Sequence, residues 1–193
     1  MVISVRNMTI RRQAFSTSCW ISVSHFVLQY LGVNVSLSAL HARFYSPDTK
    51  SILLMSGAGH PAKILGEYAF DAGRFPAKLD PQKDPKQDVV AAIADNIRDN
   101  IPVIAAIRSP QIKGFGHAVV ITAVDTETGT IAFKDPGTGS TPRPFGVDVR
   151  TVQYGQFIGG FPYRYHRGMQ TNIWAYCSQI IYLRPMNEMS LFD

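Results

Sequence analysis

Apolar residues recur at helical spacing through the first half of the chain. The clearest apolar face repeats every three or four positions and consists of Trp20, Val23, Val27 and Tyr30–Leu31. This pattern predicts a helix from about residue 19 to residue 31, capped by a hydroxyl residue at 16–18 and ended by Gly32. Similar patterns predict helices over residues 38–44, 62–72 and 86–100.

The pattern changes after Pro102, where short apolar runs predict strands. The predicted strands cover residues 103–107, 117–124, 130–134 and 172–183, with a short one at 2–5. A turn at 126–129 joins two of them as a hairpin. Residues 151–158 are predicted to form a short helix.

Residues 73–87 are rich in Pro, Asp and Lys and are interpreted as an exposed connector. Because helices precede it and antiparallel strands follow it, we predict an α+β fold with a cleft between the halves. The prediction is a single domain over residues 1–193. Its helical lobe spans about 13–100 and its β-rich lobe about 101–193.

The composition excludes several classes of protein. Hydrophobic residues make up 46% of the chain and charged residues 17%, which is ordinary for a globular domain. No run of 18 apolar residues is present, so no membrane span is predicted. The net charge of +5 is spread along the chain without a nucleic-acid-binding motif, so no nucleic-acid partner is expected.

Cys19 lies in Ser-Thr-Ser-Cys-Trp, at the predicted start of the first helix. The free N–H groups and the dipole of a helix favour a thiolate at this end, so Cys19 is a candidate nucleophile. Cys177 is the only other cysteine and falls in a predicted strand, where we expect it to be buried. A disulfide between the two would consume the nucleophile.

His117 and Asp135 lie at the same end of the predicted hairpin. His117 opens an apolar strand, a setting that core packing explains poorly, and is a candidate general base. Asp135 follows the second strand, where its carboxylate can orient the imidazole. The other histidines do not show metal-ligand spacing, so neither a metal nor a cofactor is predicted.

Three further residues are candidates because of their positions. Gln13, six positions before Cys19, can supply a side-chain amide to an oxyanion hole, together with the backbone N–H of Cys19. Trp20 and Gly116 flank the nucleophile and the base and are candidates for substrate binding. The aromatic stretch at 157–165 is interpreted as packing on the sheet, with a substrate subsite as the alternative.

The series Gln13, Cys19-Trp20, Gly116-His117-Ala118 and Asp135-Pro136 resembles the papain-like cysteine peptidases. It is most similar to compact bacterial effector proteases of the avirulence type and to the leader peptidases of bacteriocin exporters. The resemblance implies a papain-like fold in which Gln13 serves the oxyanion hole, Cys19 attacks, His117 is the base and Asp135 orients it. Ser-Thr-Ser before Cys19, and Asp in place of Asn, depart from the larger plant enzymes.

The resemblance implies hydrolysis of peptide bonds through a thioester, with a protein or peptide as substrate. A host target or an immunity protein is a candidate partner of an effector or toxin. The first residues do not have the features of a signal peptide, so we expect either a bacterial cytoplasmic protein or one exported by a specialised secretion system, into a host or target cell for an effector. Substrate identity and oligomeric state do not follow from the sequence.

Two other functions fit the same residues. A cysteine amidase, deubiquitinase, deamidase or transglutaminase-type acyltransferase uses a similar triad on a different bond. A non-catalytic binding module is the second alternative, recruiting a partner through the basic C-terminal third of the chain.

Overall fold

The computed structural model describes residues 1–10, 18–46, 51–52, 59–83, 86–113, 115–137, 149–167 and 169–186. The helices are α1 (Cys19–Tyr30), α2 (Leu37–Phe44), α3 (Gly59–Tyr68), α4 (Lys86–Arg98) and α5 (Tyr154–Gly159), with a 3-10 turn at Ala69–Ala72. The strands are β1 (Val2–Ser4), β2 (Tyr45–Ser46), β3 (Ser51–Ile52), β4 (Arg74–Leu79), β5 (Val103–Arg108), β6 (Gly116–Asp125), β7 (Thr130–Lys134), β8 (Val149–Gln153), β9 (Phe161–Arg167) and β10 (Met169–Pro185).

Eight of these strands form one antiparallel sheet. Its main path runs β4-β10-β5-β6-β7-β8, while β1 pairs with β6 and β9 pairs with β10. The central strands β5 and β6 are almost continuously buried, as expected for strands with neighbours on both sides. The predicted α+β class is confirmed.

Helix α1 packs against β6 and is buried along most of its length. Its residues from Cys19 to Leu28 are all buried, including two serines and a histidine. Because α3 covers one side of α1 while β6 supports another, the helix start is fixed relative to the sheet. This packing determines where Cys19 lies.

The interpretation of residues 73–87 as an exposed connector is wrong. Residues 74–79 form β4, whose backbone pairs with β10 from Leu79↔Ile180 to Arg74↔Pro185. The proline at position 76 is tolerated because β4 is at the end of the sheet path, where one side of the strand needs no donor. The division into two lobes stays a prediction, although one strand from the predicted helical lobe, β4, joins the sheet of the other.

The prediction for residues 151–158 is only partly correct. Residues 149–153 form β8 beside β7, and the helix α5 begins only at Tyr154. The alternating exposure of β8 is that of a strand with one face on the sheet's core. The strand pattern was too short and too polar to be distinguished from the helix that follows.

The last two strands form a hairpin that is longer than the predicted final strand. Strand β9 was not predicted, and β10 begins at Met169 rather than at residue 172. Gly160 connects α5 to β9 with a φ of 132°. A Cβ at this position would lie 1.8 Å from the indole nitrogen of Trp174, so only glycine permits this approach.

The remaining predicted elements are confirmed with small shifts of their ends. Helix α1 ends one residue before the predicted Leu31, and β7 has the predicted bounds. In the described part of the chain, no helix has the length and hydropathy needed to cross a membrane.

Candidate active site

Cys19 is the first residue of α1. The first helical hydrogen bond runs from the N–H of Ser22 to the carbonyl of Ser18 at 2.9 Å, so the N–H groups of residues 19–21 precede the helical ladder. The first turn contains no acidic residue to oppose the positive end of the helix dipole. The Cys19 side chain therefore lies where a negative charge on sulfur is favoured.

His117 and Asp135 are brought together by the pairing of β6 with β7. Val120 lies opposite Lys134, and the same register continued by three residues places Gly137 opposite His117. Asp135 is then the diagonal neighbour of His117 on the same face of the sheet. The pairing explains how residues 18 positions apart in sequence can touch.

The three side chains form a connected series. The Nε2 atom of His117 lies 2.6 Å from Oδ1 of Asp135, and both side chains are almost completely buried. The same imidazole also interacts with the thiol of Cys19 and favours its thiolate form. Because Nε2 faces the carboxylate, Nδ1 is the ring atom left for the sulfur.

The charges of this series favour a thiolate and an imidazolium. Burial alone raises the pKa of Cys19, but the positive His117 and its hydrogen bond outweigh burial and lower that pKa below the ordinary thiol value. Burial alone lowers the pKa of His117, but the negative charges of Asp135 and Cys19 outweigh it and raise that pKa to about 10. Backbone N–H groups of Ala118 and Trp20 also stabilise the thiolate.

Asp135 is held as a carboxylate although it is 0% exposed. Burial raises its pKa, but the charge of His117 and three hydrogen bonds reverse the shift and lower that pKa. The donors are Nε2 of His117, the backbone N–H of Gly137 at 2.8 Å and the hydroxyl of Tyr163. Sequence analysis missed the last two of these partners.

Gly137 is the residue that permits the imidazole to reach the carboxylate. A Cβ at position 137 would lie 2.9 Å from Cε1 and 3.1 Å from Nε2 of His117, and 3.3 Å from Oδ1 of Asp135. These distances are too short for the ring to stay in place. The Asp-Pro-Gly sequence indicated a turn, but not this contact.

We expect Gly137→Ala to displace the imidazole and to lower kcat/KM by about 10²-fold, since misplacement by about 1 Å costs that much in a positioned site. The measurement is peptide hydrolysis together with the thermal unfolding midpoint. Gly129→Ala serves as the control, because a Cβ there meets nothing within 4 Å, although its φ of 68° adds strain. Full activity of a folded Gly137→Ala protein would contradict the positioning role.

The sequence profile of the Peptidase_C39 like family matches residues 5–148, well over half of the chain. The chain belongs to this family. It is a cysteine peptidase, and therefore a hydrolase. The papain-like resemblance inferred from the sequence is confirmed.

Two solved structures resemble this C39-like peptidase. A double glycine motif protease from an AMS/PCAT transporter, crystallised with its leader peptide, is 12% identical with a TM-score of 0.51, over 96% of this chain and 99% of that one. The peptidase domain of Streptococcus ComA, a bi-functional ABC transporter of quorum sensing, is 17% identical with a TM-score of 0.49, over 93% of this chain and 99% of that one. The first supports the fold. A search of curated proteins found no match.

The other predicted site residues of the C39-like peptidase are placed differently. Gln13 lies outside the described residues, so its oxyanion role stays a prediction. The Trp20 ring packs edge-on against Phe44 with centroids 5.4 Å apart and is 7% exposed. Gly116 is exposed and has open space around it. Substrate binding by Trp20 and Gly116 stays a prediction, and the buried Trp20 ring offers little surface for it.

Cys177 is buried at 0% exposure, as predicted. Burial, the dominant effect, raises the pKa of its thiol far above the ordinary value, while its sulfur contacts the carbonyl of Gln179 at 3.5 Å. The pKa values of the two thiols are therefore shifted in opposite directions, downward at Cys19 by the charge of His117 and upward at Cys177 by burial. In the described ranges, no group of three or more His, Cys, Asp and Glu side chains is arranged to hold a metal ion.

Proposed function

We propose that Cys19, His117 and Asp135 form the catalytic triad of this cysteine peptidase and that the reaction is hydrolysis of a peptide bond. The observation that supports this most directly is the series of contacts from the thiol at the start of α1 to the imidazole and on to a buried carboxylate. A nucleophile, a base and an orienting acid are the parts that acyl transfer to sulfur requires.

Acylation begins with attack of the Cys19 thiolate on the carbonyl carbon of the substrate. The imidazolium of His117 gives its Nδ1 proton to the leaving amine as the C–N bond breaks, and a thioester remains on Cys19. Asp135 stays ionised and stabilises the positive imidazole in its orientation.

Deacylation uses water as the second nucleophile. His117 takes a proton from the water as it attacks the thioester, and the C–S bond breaks to release a carboxylic acid and restore the ion pair. We propose the backbone N–H of Cys19 and the amide of Gln13 as donors to the oxyanion in both steps.

We propose a peptide or a protein as the substrate. The structurally similar transporter protease was crystallised with a leader peptide, which makes an extended peptide the first substrate to test. A role as a bacterial effector or toxin, with a host target or an immunity protein as partner, stays a prediction from the sequence resemblance.

The main competing proposal is the same triad acting on a different bond, as in amidases, deubiquitinases, deamidases or transglutaminases. A peptide library, peptidoglycan and ubiquitin chains should each be incubated with the protein in heavy-oxygen water, and the products weighed by mass spectrometry. We expect two fragments from the peptide, with heavy oxygen in the new carboxyl group. An unfragmented product in which a side-chain amide has become a carboxylate or has gained an amine, or cleavage confined to peptidoglycan or ubiquitin chains, would refute hydrolysis of ordinary peptide bonds and support a competing reaction.

A further inference from the structure

We infer that Tyr163 is a positioning residue that holds the carboxylate of Asp135 ionised and in register with the imidazole. This role rests on the proposed triad. It extends the series by one member, from Cys19 through His117 and Asp135 to Tyr163. Tyr163 does not touch the reacting sulfur, so it acts only through Asp135.

The two oxygens of the Asp135 carboxylate have different hydrogen-bond donors. The Nε2 atom of His117 and the backbone N–H of Gly137 both lie on Oδ1 of Asp135, at 2.6 and 2.8 Å. The Tyr163 hydroxyl donates to the other oxygen, Oδ2. The phenol therefore binds the oxygen that the imidazole does not contact, and it opposes rotation of the carboxylate about its Cβ–Cγ bond.

Tyr163 is itself fixed by packing on several sides. Its side chain is 1% exposed, and its ring contacts the rings of Phe161, Phe115 and His117 at centroid distances of 6.2, 6.3 and 6.0 Å. The guanidinium of Arg150 lies 4.8 Å from the centroid of the ring. The hydroxyl is consequently held at one position.

This packing also explains how β9 reaches the site. Among the described strands, β9 pairs only with β10, but the ring of Phe161 at its start packs onto β7 and α5. Phe161 contacts Phe133 of β7 at 6.0 Å and Phe157 of α5 at 5.7 Å. Phe157, Phe161 and Tyr163 are all buried, so the packing interpretation of these three aromatic residues is confirmed, and Tyr163 adds a polar contact to it.

The charged groups around the phenol keep it protonated. Burial and the negative charge of Asp135 raise its pKa well above the usual tyrosine value, while Arg150 of β8 opposes this shift and Cys19 of α1 adds to it. Asp135 in turn faces His117 of β6. The phenol is thus a permanent donor in the pH range where the enzyme can work.

Tyr163→Phe removes only this donor and keeps the ring that packs. Without the hydroxyl, the buried carboxylate loses one of its stabilising hydrogen bonds, so its pKa rises and it is protonated at higher pH. A protonated Asp135 no longer stabilises the imidazolium, which in turn no longer stabilises the thiolate. The acid limb of Cys19 reactivity therefore moves to higher pH, by about one pH unit.

The test compares wild type, Tyr163→Phe and the control Tyr154→Phe. Tyr154 is another buried tyrosine, and its backbone N–H bonds to Gly129, at the end of the hairpin opposite Asp135. Two readouts are needed: the rate of Cys19 alkylation by iodoacetamide as a function of pH, and kcat and KM on a cleaved peptide. Thermal unfolding midpoints establish that each variant is folded.

We expect the acid limb of the Cys19 alkylation profile to lie at higher pH in Tyr163→Phe than in wild type. We also expect kcat to fall roughly tenfold with KM unchanged, whereas Tyr154→Phe should show neither change. An unshifted acid limb in folded Tyr163→Phe protein would overturn the inference, as would an equal shift in Tyr154→Phe. The alkylation readout needs no substrate. Failure of the inference would therefore appear in the alkylation profile of Tyr163→Phe. Failure of the proposed function would appear separately, as peptide hydrolysis that persists in Cys19→Ala.

Discussion

Cys19→Ala is expected to abolish peptide hydrolysis while leaving the fold intact. In the proposed mechanism the Cys19 thiolate forms the covalent intermediate, so without it kcat should fall on the order of 10⁵-fold, equivalent to about 7 kcal/mol of transition-state stabilisation. The change removes one sulfur atom from a helix start that is otherwise supported by β6 and α3, and unfolding should therefore remain cooperative. Peptide turnover and circular dichroism measure the two outcomes.

The matched control is Cys177→Ala, which removes the same atom from the buried strand β10. Because the Cys177 thiol is buried with a raised pKa, it has no part in the proposed chemistry, and the variant should keep wild-type kcat/KM with a small loss of stability. Activity in Cys19→Ala protein comparable to that of the control would exclude Cys19 as the nucleophile.

His117→Ala is expected to have the second largest effect. It removes both the proposed proton carrier and the charge that lowers the pKa of Cys19, so kcat/KM should fall on the order of 10⁴-fold or more. The substitution also leaves the carboxylate of Asp135 buried without its cation, a situation that costs roughly 3–5 kcal/mol of stability. Kinetics and chemical denaturation should both be measured for this reason.

A second substitution separates the lost chemistry from the lost stability. His117→Gln retains an amide N–H that can donate to Asp135, but it cannot carry a proton between thiol and leaving group. We expect this variant to be closer to wild type in stability and as inactive as His117→Ala. Substantial activity in His117→Gln would refute the assignment of His117 as the base.

Local sequence patterns were sufficient to predict the helix that carries the thiol and the hairpin that carries the imidazole. The start of α1 followed from hydroxyl residues ahead of a helical apolar repeat, and the β6–β7 hairpin followed from two apolar runs joined by a turn. The hairpin places His117 and Asp135 at the same end, so their proximity followed from the local pattern, whereas the approach of Cys19 to His117 was implied only by the family resemblance. Gln13 lies outside the described residues, and its role stays a prediction.

The long-range contacts of the site were not predictable in the same way. Tyr163 meets Asp135 because the neighbouring ring of Phe161 packs on β7 and α5 and carries β9 to this position, and no sequence spacing encodes that pairing. Its position in an aromatic stretch indicated packing and concealed the hydroxyl contact. Strand β4 was missed for a related reason, because its proline suggests a loop until the strand is known to lie at the end of the sheet path.

The central physical claim is that the Cys19 thiol is ionised by His117 at neutral pH. The most direct measurement is the rate of alkylation of each cysteine by iodoacetamide between acidic and alkaline pH, resolved by peptide mass spectrometry, with Cys177 as the internal reference. Because the pKa of Cys19 is lowered, its thiolate persists to lower pH than that of an ordinary thiol and is lost only as the pH falls through the lowered value. The account therefore predicts a Cys19 rate already at its plateau at neutral pH, with Cys177 unreactive in the folded protein. A Cys19 rate that rises only near the ordinary thiol pKa of about 8.5 would contradict it.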